Sequence, residues 1–339
     1  MTAPPLALTM GEPAGIGGEL ALKAWLALRA DDTLTVSPFL VIDDPLRLER
    51  LADLPGCAAP IVPIRAPADC FDAFDAGLPV LPLSAPVDVE SGNPLSSSAP
   101  AVLESIDTAI DLAKDSQIAA VVTNPIQKAP LIESGFGFPG HTEYLQHRAS
   151  AKSAVMMLVA PMLRVALVTI HLPLSAVPGA LTTERIVATG QVAADALQRD
   201  FGIAAPRLAV AGLNPHAGEA GTLGHEDALI IQPAIKTLRS AGITATGPHP
   251  ADTLFRPAAR RTYDAAICMY HDQGLAPLKA IHFDAVNVTL GLPFIRTSPD
   301  HGTALDLAGT GRASPVSLIA ALRLAAAMAA RRYGIDDTD

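Results

Sequence analysis

The sequence is short of charged, aromatic and sulfur-bearing side chains, and each shortage excludes a class of protein. Charged residues make up 17% of the 339 residues and aromatic residues 4%, whereas 50% are hydrophobic. A chain this apolar can bury large cores, which excludes intrinsic disorder. The three cysteines, Cys57, Cys70 and Cys268, are odd in number and match no zinc-binding spacing. They predict free thiols in a reducing compartment.

Positive charge is also scarce: 24 Lys and Arg residues stand against 34 Asp and Glu residues, so the formal net charge is -10. This balance argues against a nucleic-acid surface, although a few local cations would still suffice to bind a small anion. The longest apolar tract, 154–170, contains Pro161 and Arg164, so we predict two strands rather than a membrane span. The first residues, MTAPPLALTMGEP, have no basic segment and no long apolar run. We therefore expect no signal peptide and a cytoplasmic protein.

The chain is long enough for two domains of the α/β class. Short apolar runs alternate with segments of helical periodicity, which predicts parallel sheets covered by helices. We predict a first α/β domain from residues 1–125 plus 300–339 and a second from 126–299. A cleft between two such domains is where the chemistry is expected.

Two glycine-rich segments are candidate ligand-binding loops. GEPAGIGG, at 11–18, lies between a predicted strand and a predicted helix, which is the layout that directs backbone N–H groups at an anion. It is not the GxGxxG motif of dinucleotide-binding folds, so a tight turn without a ligand remains open. In DHGTALDLAG, at 300–309, the glycines would let the backbone approach a planar ligand closely, although an exposed turn is the alternative.

Three histidines follow separate apolar runs. His171 ends VALVTIH, His216 follows LAVAGL and His271 follows AAICM. If these runs are neighbouring parallel strands, the three imidazoles converge in a site suited to Zn²⁺ or Co²⁺. Each histidine taken alone is more simply a hydrogen-bonded polar group or a general base. Asp252 and Asp272 could orient the imidazoles or relay a proton, or could be ordinary capping carboxylates.

A second polar group flanks the apolar run 286–292. Lys279, Asn287 and Arg296 lie beside this run, and together with His141 and Thr142 they could hold a phosphate or carboxylate through charge-assisted hydrogen bonds. Surface salt bridges are the alternative for Lys279 and Arg296. A nearby divalent ion could bind a substrate hydroxyl, lower its pKa and stabilise the resulting negative charge.

Several motifs, in the same order along the chain, resemble the 4-hydroxythreonine-4-phosphate dehydrogenase (PdxA) family of vitamin B6 synthesis. They are GEPAGIG (11–17), TNPIQK (123–128), GHTEYL (140–145), HLPL (171–174), GLNPHAGE (212–219), YHDQGLAPLK (270–279) and VNVTLGLPFIRTSPDHGTALDLAG (286–309). HGTALDLAG is also similar to the loop with which isopropylmalate dehydrogenases hold the adenosine part of NAD. The resemblance implies a two-domain α/β/α subunit of the isocitrate/isopropylmalate dehydrogenase-like type. It further implies a homodimer whose active site is completed by the partner subunit.

The resemblance also implies roles for individual residues. His171, His216 and His271 match the ligands of one divalent cation (Zn, Mg or Co), and Lys279, Asp252 and Asp272 are the catalytic candidates. The substrate contacts would be His141, Thr142, Lys279, Asn287 and Arg296. NAD, or NADP, would contact Asp300, His301, Gly302, Thr303, Ala304 and Asp306. The stretch AIHFDAV, at 280–286, is a residue shorter than is usual in the family.

The reaction that the resemblance implies is NAD-dependent oxidation of 4-phosphohydroxy-L-threonine at C3. Decarboxylation then gives 3-amino-2-oxopropyl phosphate. One alternative is a sister dehydrogenase for D-threonate or D-erythronate 4-phosphate, which TNPIQK and NVTLGLPFIRTS disfavour. A metal-dependent hydrolase would leave the HGTALDLAG loop without a task, and a non-catalytic binding protein would not need the three histidines.

Overall fold

The structure is a computed structural model that describes residues 3–31, 36–138, 140–282 and 284–335. Phe283 of the shortened stretch 280–286 and residues 336–339 lie outside the described residues. The strands in chain order are β1 (Leu6–Thr9), β2 (Phe39–Asp43), β3 (Ile61–Pro63), β4 (Leu78–Pro82), β5 (Ala120–Thr123), β6 (Val155–Ala160), β7 (Leu163–Leu167), β8 (Arg207–Ala211), β9 (Thr244–His249), β10 (Ala265–Cys268), β11 (Val286–Leu290) and β12 (Ile295–Pro299).

Helices separate most of these strands, as expected for an α/β chain. They are α1 (Gly17–Ala30), α2 (Pro45–Ala52), α3 (Cys70–Phe74), α4 (Ala99–Lys114), α5 (Lys128–Glu133), α6 (His141–Arg148), α7 (Val177–Ala180), α8 (Thr183–Arg199), α9 (Gln232–Ser240), α10 (Ala251–Leu254), α11 (Pro257–Arg260), α12 (His271–Ile281) and α13 (Val316–Tyr333). A π-helical turn, Asp227–Ile231, leads directly into α9. No described helix is long and apolar enough to cross a membrane.

The chain divides into two compact units, Met1–Ala151 with Leu292–Asp339, and Lys152–Gly291. These boundaries differ from the predicted ones at 125 and 300. The reason lies in packing, because Tyr144 and Leu145 of α6 and the segment with Leu292 and Phe294 belong to the same buried cluster as Val121 of β5. Residues on both sides of the predicted boundaries therefore share the core of the first unit.

The first unit contains a parallel sheet in the order β3-β4-β2-β1-β5-β12. Every residue of β1 and β5 is buried, as expected for strands covered on both faces. The chain runs from β1 to β2 on one side, and β5 lies on the other side of β1. Ligands of open α/β sheets bind at such a switch point, outside the carboxyl ends of the strands.

The second unit contains a mixed sheet in the order β11-β6-β7-β10-β8-β9. Pairs β11–β6 and β6–β7 are antiparallel, and β7, β10, β8 and β9 run parallel to one another. The antiparallel pair β6–β7 confirms that the apolar tract 154–170 forms two strands. The three predicted histidines follow β7, β8 and β10, whose carboxyl ends lie along one edge of this sheet.

Candidate active site

The first glycine-rich segment forms a turn that is fastened to the end of β5. Gly11 has a φ of +72°, and a Cβ there would lie 2.6 Å from Asn124 Cβ, so only glycine fits. The Glu12 N–H donates to Pro125 O at 2.8 Å, and Asn124 Nδ2 donates to Thr9 O at 3.0 Å. The turn is therefore held rigidly at the switch point of the sheet.

The second glycine-rich segment packs directly against this turn. The Ile16 N–H donates to Thr303 O at 3.1 Å, and Thr303 Oγ1 donates to Gln127 Oε1 at 3.1 Å. A Cβ on Gly15 would lie 2.9 Å from Thr303 O, closer than side chains tolerate. The two segments, nearly 290 positions apart in the sequence, thus form one surface at the carboxyl ends of β1, β5 and β12.

Local features of the 300–309 loop fit a planar, polar ligand such as a dinucleotide. A Cβ at Gly302 would have no heavy atom within 4 Å, so the backbone there borders open space. His301 Nε2 is buried and has no hydrogen-bond partner in the described part of the chain. Ala304 has a φ of 45°, an unusual conformation for a residue with a side chain, and Asp306 is exposed. An unsatisfied ring nitrogen beside an open backbone is a site that a ligand would complete.

Arg296 supplies a fixed positive charge in the same unit. Its side chain is 3% exposed, and its Nε and Nη2 donate to Thr123 Oγ1 at 3.1 and 2.6 Å. Burial lowers the pKa of the Arg296 guanidinium to about 10, which still leaves it charged at neutral pH. Thr123 ends β5, so two neighbouring parallel strands orient this cation.

His141 is kept neutral beside that guanidinium. It is the first residue of α6, and its Nε2 is buried without a hydrogen-bond partner among the described residues. Burial, and then the charge of Arg296, hold the pKa of His141 well below its usual value of 6.5. A neutral imidazole and a guanidinium together can hydrogen-bond an anionic oxygen. Thr142, the next residue, is half-buried.

Lys279 and Asn287, also predicted to contact substrate, belong to the second unit. Lys279 lies half-buried in the last turn of α12. Asn287, on β11, has a buried Oδ1 with no hydrogen-bond partner among the residues that the structure describes. The unpaired Oδ1 of Asn287 can therefore accept a hydrogen bond from a ligand.

Two of the three predicted metal-binding histidines lie side by side in the second unit. The ring centroids of His171 and His271 are 6.0 Å apart, since β7 and β10 are parallel neighbours. Both line a cavity of about 380 Å³, together with Tyr270 and Asp272. His171 has a φ of 51°, and strained backbone of this kind is concentrated at functional sites.

Asp272 fixes the orientation of the His271 ring. Its Oδ1 lies 2.7 Å from His271 Nδ1, so in the neutral imidazole Nδ1 carries the proton. The lone pair of Nε2 is then available to a cation, which is the usual role of a carboxylate behind a metal-binding histidine. Asp252 lies exposed in α10.

His216 lies elsewhere in the second unit. It is exposed in the turn Pro215–Gly221 that follows β8, and it does not line the cavity of His171 and His271. The turn is unusual, because His216 and the four residues after it all have positive φ. Within the described ranges, no three His, Cys, Asp or Glu side chains are placed to hold a metal ion. The three-histidine site therefore stays a prediction.

Sequence reasoning missed the residues that support these groups. Thr123 and Gln127 both belong to the motif TNPIQK, but the sequence predicts no role for either residue. Glu19 and Lys23 of α1 contact residues 309–313, whereas the sequence pattern indicates only that both lie in a helix. A glutamate in the first turn of a helix is common, so no sequence signal distinguishes this one.

Comparisons with known proteins agree with this architecture. The chain is 51% identical over 98% of its length to 4-hydroxythreonine-4-phosphate dehydrogenase of Caulobacter vibrioides, covering 99% of that protein. Its structure matches the crystal structure of 4-hydroxythreonine-4-phosphate dehydrogenase from Klebsiella pneumoniae with a TM-score of 0.87 and 37% identity, over 97% of this chain and 98% of that one. It also matches terephthalate 1,2-cis-dihydrodiol dehydrogenase from Burkholderia xenovorans with a TM-score of 0.66 and 28% identity, over 96% and 98% of the two chains.

These neighbours confirm the predicted fold class, an α/β subunit of the isocitrate/isopropylmalate dehydrogenase-like type. The profile of the family described as "Pyridoxal phosphate biosynthetic protein PdxA" matches residues 35–325, most of the chain. The resemblance read from the motifs is thereby confirmed, and the chain belongs to the PdxA family.

Proposed function

We propose that this chain is a dehydrogenase that oxidises 4-phosphohydroxy-L-threonine at C3 in the synthesis of pyridoxal 5'-phosphate. The C3 alcohol transfers two electrons and one proton to NAD (or NADP), and a second proton is released. The resulting β-keto acid loses CO₂ and gives 3-amino-2-oxopropyl phosphate. The observation that carries this proposal is the 51% identity, over almost the whole chain, to a protein named 4-hydroxythreonine-4-phosphate dehydrogenase.

The anion-binding groups support a phosphorylated amino-acid substrate. Buried Arg296 provides a permanent charge, and neutral His141 beside it provides a directional hydrogen bond. Thr142, Lys279 and Asn287 complete the proposed set of substrate contacts. A charge-assisted bond to a buried guanidinium is about twice as strong as a neutral one, so this group suits a phosphate or a carboxylate.

The adjacent imidazoles of His171 and His271 fit a divalent cation, with His216 as the third proposed ligand. A bound Zn²⁺, Co²⁺ or Mg²⁺ would supply Lewis-acid stabilisation of negative charge on oxygen. Asp272 holds the His271 ring in the tautomer that such a role requires. Lys279 and Asp252 are the proposed carriers of the hydroxyl proton.

The 300–309 loop is the proposed binding surface for the cofactor. The open backbone at Gly302 and the unsatisfied Nε2 of His301 favour a ligand with a flat face and polar edges. Asp300, Thr303, Ala304 and Asp306 belong to the same proposed surface. We further propose a cytoplasmic homodimer in which the partner subunit completes the active site.

The proposal is tested by product analysis on the purified protein. Incubation with 4-phosphohydroxy-L-threonine, NAD and a divalent cation should release CO₂ and 3-amino-2-oxopropyl phosphate, both measurable by mass spectrometry. D-Threonate and D-erythronate 4-phosphate are tested in parallel. Turnover confined to these sugar acids would replace the proposal with the sister activity. Release of inorganic phosphate without cofactor reduction would indicate a hydrolase.

A further inference from the structure

We propose that Glu19, at the start of α1, is a positioning residue that holds the cofactor-binding loop in its binding conformation. This inference rests on the proposed function, because it takes the 300–309 loop as the dinucleotide surface. Glu19 is fully buried and lies in the first turn of α1, directly after the glycine turn. The positive end of the helix stabilises a carboxylate at that position.

The Glu19 carboxylate holds the far end of the loop through two hydrogen bonds. Its Oε1 accepts the Gly309 N–H, and its Oε2 accepts the Gly311 N–H at 3.1 Å. Both glycines have positive φ, a backbone region that glycine adopts readily, so their own conformational preference specifies the course of the loop only weakly. The carboxylate thus adds two fixed hydrogen bonds to the turn-like bonds within the segment, from Leu307 N to Ala304 O and from Thr310 N to Leu307 O.

Lys23, one turn further along α1, holds the same segment from the carbonyl side. Its Nζ donates to Gly311 O and to Ala313 O at 2.8 Å. At the other end of the loop, Thr303 is fixed by the Ile16 N–H and by Gln127. The loop is therefore held at both ends by the glycine turn and the helix that follows it.

A cavity beside the loop makes the hydrogen bonds from Glu19 and Lys23 important for its position. Ala308 and Gly309 border a cavity of about 400 Å³. The loop is therefore packed against Ser91 and Pro55 on one side but borders open space on another, toward which it can shift when its anchor is lost. We infer that α1 keeps the loop in order before the cofactor arrives, so that binding does not have to order it.

The test compares Glu19→Gln with a matched control, Glu104→Gln. Glutamine has nearly the same shape as glutamate, but its NH₂ group takes the place of one carboxylate oxygen. This NH₂ donor then faces a backbone N–H, which is also a donor. Glu104 makes a similar pair of bonds, from Ser84 N and Ser84 Oγ, on the exposed side of α4 and outside the proposed site. The readouts are the NADH dissociation constant from fluorescence and deuterium uptake of residues 303–313 in cofactor-free protein.

In Glu19→Gln the NADH dissociation constant should rise about tenfold, a change of roughly 1.4 kcal/mol. The KM for NAD should rise more than kcat falls, and residues 303–313 should exchange faster. Glu104→Gln should match the wild-type protein in each readout. Wild-type NADH affinity in Glu19→Gln would overturn the inference, even if exchange were faster.

If Glu19→Gln does not fold, Lys23→Met provides a second test. Lys23 is half-buried, and this change removes the hydrogen bonds from Nζ to Gly311 O and Ala313 O. It should raise the NADH dissociation constant in the same direction, and an unchanged value would overturn the inference. Failure of the wild-type protein to bind NADH is a distinguishable result. It would overturn the proposed function and this inference with it.

Discussion

The candidate site residues depend on neighbouring side chains for their orientation or their charge state. Arg296 is aimed by Thr123, whose hydroxyl accepts two of its N–H groups. His271 is aimed by Asp272, and His141 is kept neutral by burial and by Arg296. Their positions beside apolar runs indicated Arg296 and His271 as candidate site residues, whereas His141 follows a glycine-rich loop. The sequence could not predict Thr123 as the partner of Arg296, because a threonine at a strand end has no distinctive pattern.

Replacing Thr123 by valine should weaken substrate binding while the cofactor site is unaffected. The change preserves shape but removes the acceptor of two guanidinium N–H groups, and a hydrogen bond to a charged group contributes about 1.5–3 kcal/mol. We expect the KM for 4-phosphohydroxy-L-threonine to rise at least about tenfold. Thr123→Ser, which keeps the hydroxyl, should restore most of the affinity. Equal substrate affinity in the valine and serine variants would show that Thr123 does not position Arg296.

His141 should make stability depend on pH in a definite direction. Its pKa is lower in the folded protein than the usual 6.5, so the folded state binds fewer protons than the unfolded state as pH falls below 6.5. The contribution of the neutral His141 ring to the free energy of unfolding is therefore complete above about pH 6.5, and it decreases as the pH falls below that value.

The measurement is urea unfolding of the wild-type protein and of His141→Gln at about pH 7.5 and about pH 5.5. The wild-type free energy of unfolding should fall more between these values than that of the variant, because the other histidines are common to both. Parallel losses in the two proteins would show that His141 titrates in the same way in the folded and unfolded chains.

At the scale of elements, the central feature is the contact between the turn at 11–18 and the segment at 300–311. The sequence predicted a strand before the turn and a helix after it, and these are β1 and α1. The contact between the two segments could not be predicted from the sequence. Predicting contact between loops far apart in the chain requires the order of the strands in the sheet. The compact units divide after Ala151 and Gly291, and not at the predicted 125 and 300, for a related reason. Tyr144 and Phe294 join the first core through packing that no local pattern reveals.

Gly15→Ala should disturb this contact. The added methyl group would lie 2.9 Å from Thr303 O and 3.3 Å from Glu12 O, both backbone atoms that cannot rotate away. Displacement of the loop should raise the NADH dissociation constant, with a loss of stability of about 1–3 kcal/mol. Gly179→Ala is the matched control, since a Cβ there has no heavy atom within 4 Å. Equal NADH affinity in the two variants would remove the contact from cofactor binding.

At the scale of the whole molecule, the proposed metal site is the part whose three residues the described chain does not bring together. His171 and His271 are adjacent, whereas His216 lies in a separate turn. Replacement of His216 by alanine should abolish binding of the divalent cation and enzymatic activity. The fold should persist, because this side chain is exposed. Metal content by mass spectrometry and circular dichroism check both statements, and wild-type turnover in this variant would exclude His216 from the site.

Mixing two inactive variants tests whether a partner subunit completes the site. If His216 and His271 in one site come from different subunits, a dimer of His216→Ala with His271→Ala contains one intact site. Random exchange should then restore about a quarter of wild-type activity. If one subunit supplies both residues, every site carries a substitution and the mixture stays inactive.

Metal-dependent dehydrogenation is tested most directly by the absorbance of NADH during incubation of purified protein with NAD and 4-phosphohydroxy-L-threonine, before and after removal of divalent cations by a chelator. We expect steady NADH formation that stops on chelation and resumes when Zn²⁺, Co²⁺ or Mg²⁺ is added back. NADH formation that persists in the fully chelated protein, or no NADH under any of these conditions, would contradict a metal-dependent dehydrogenase.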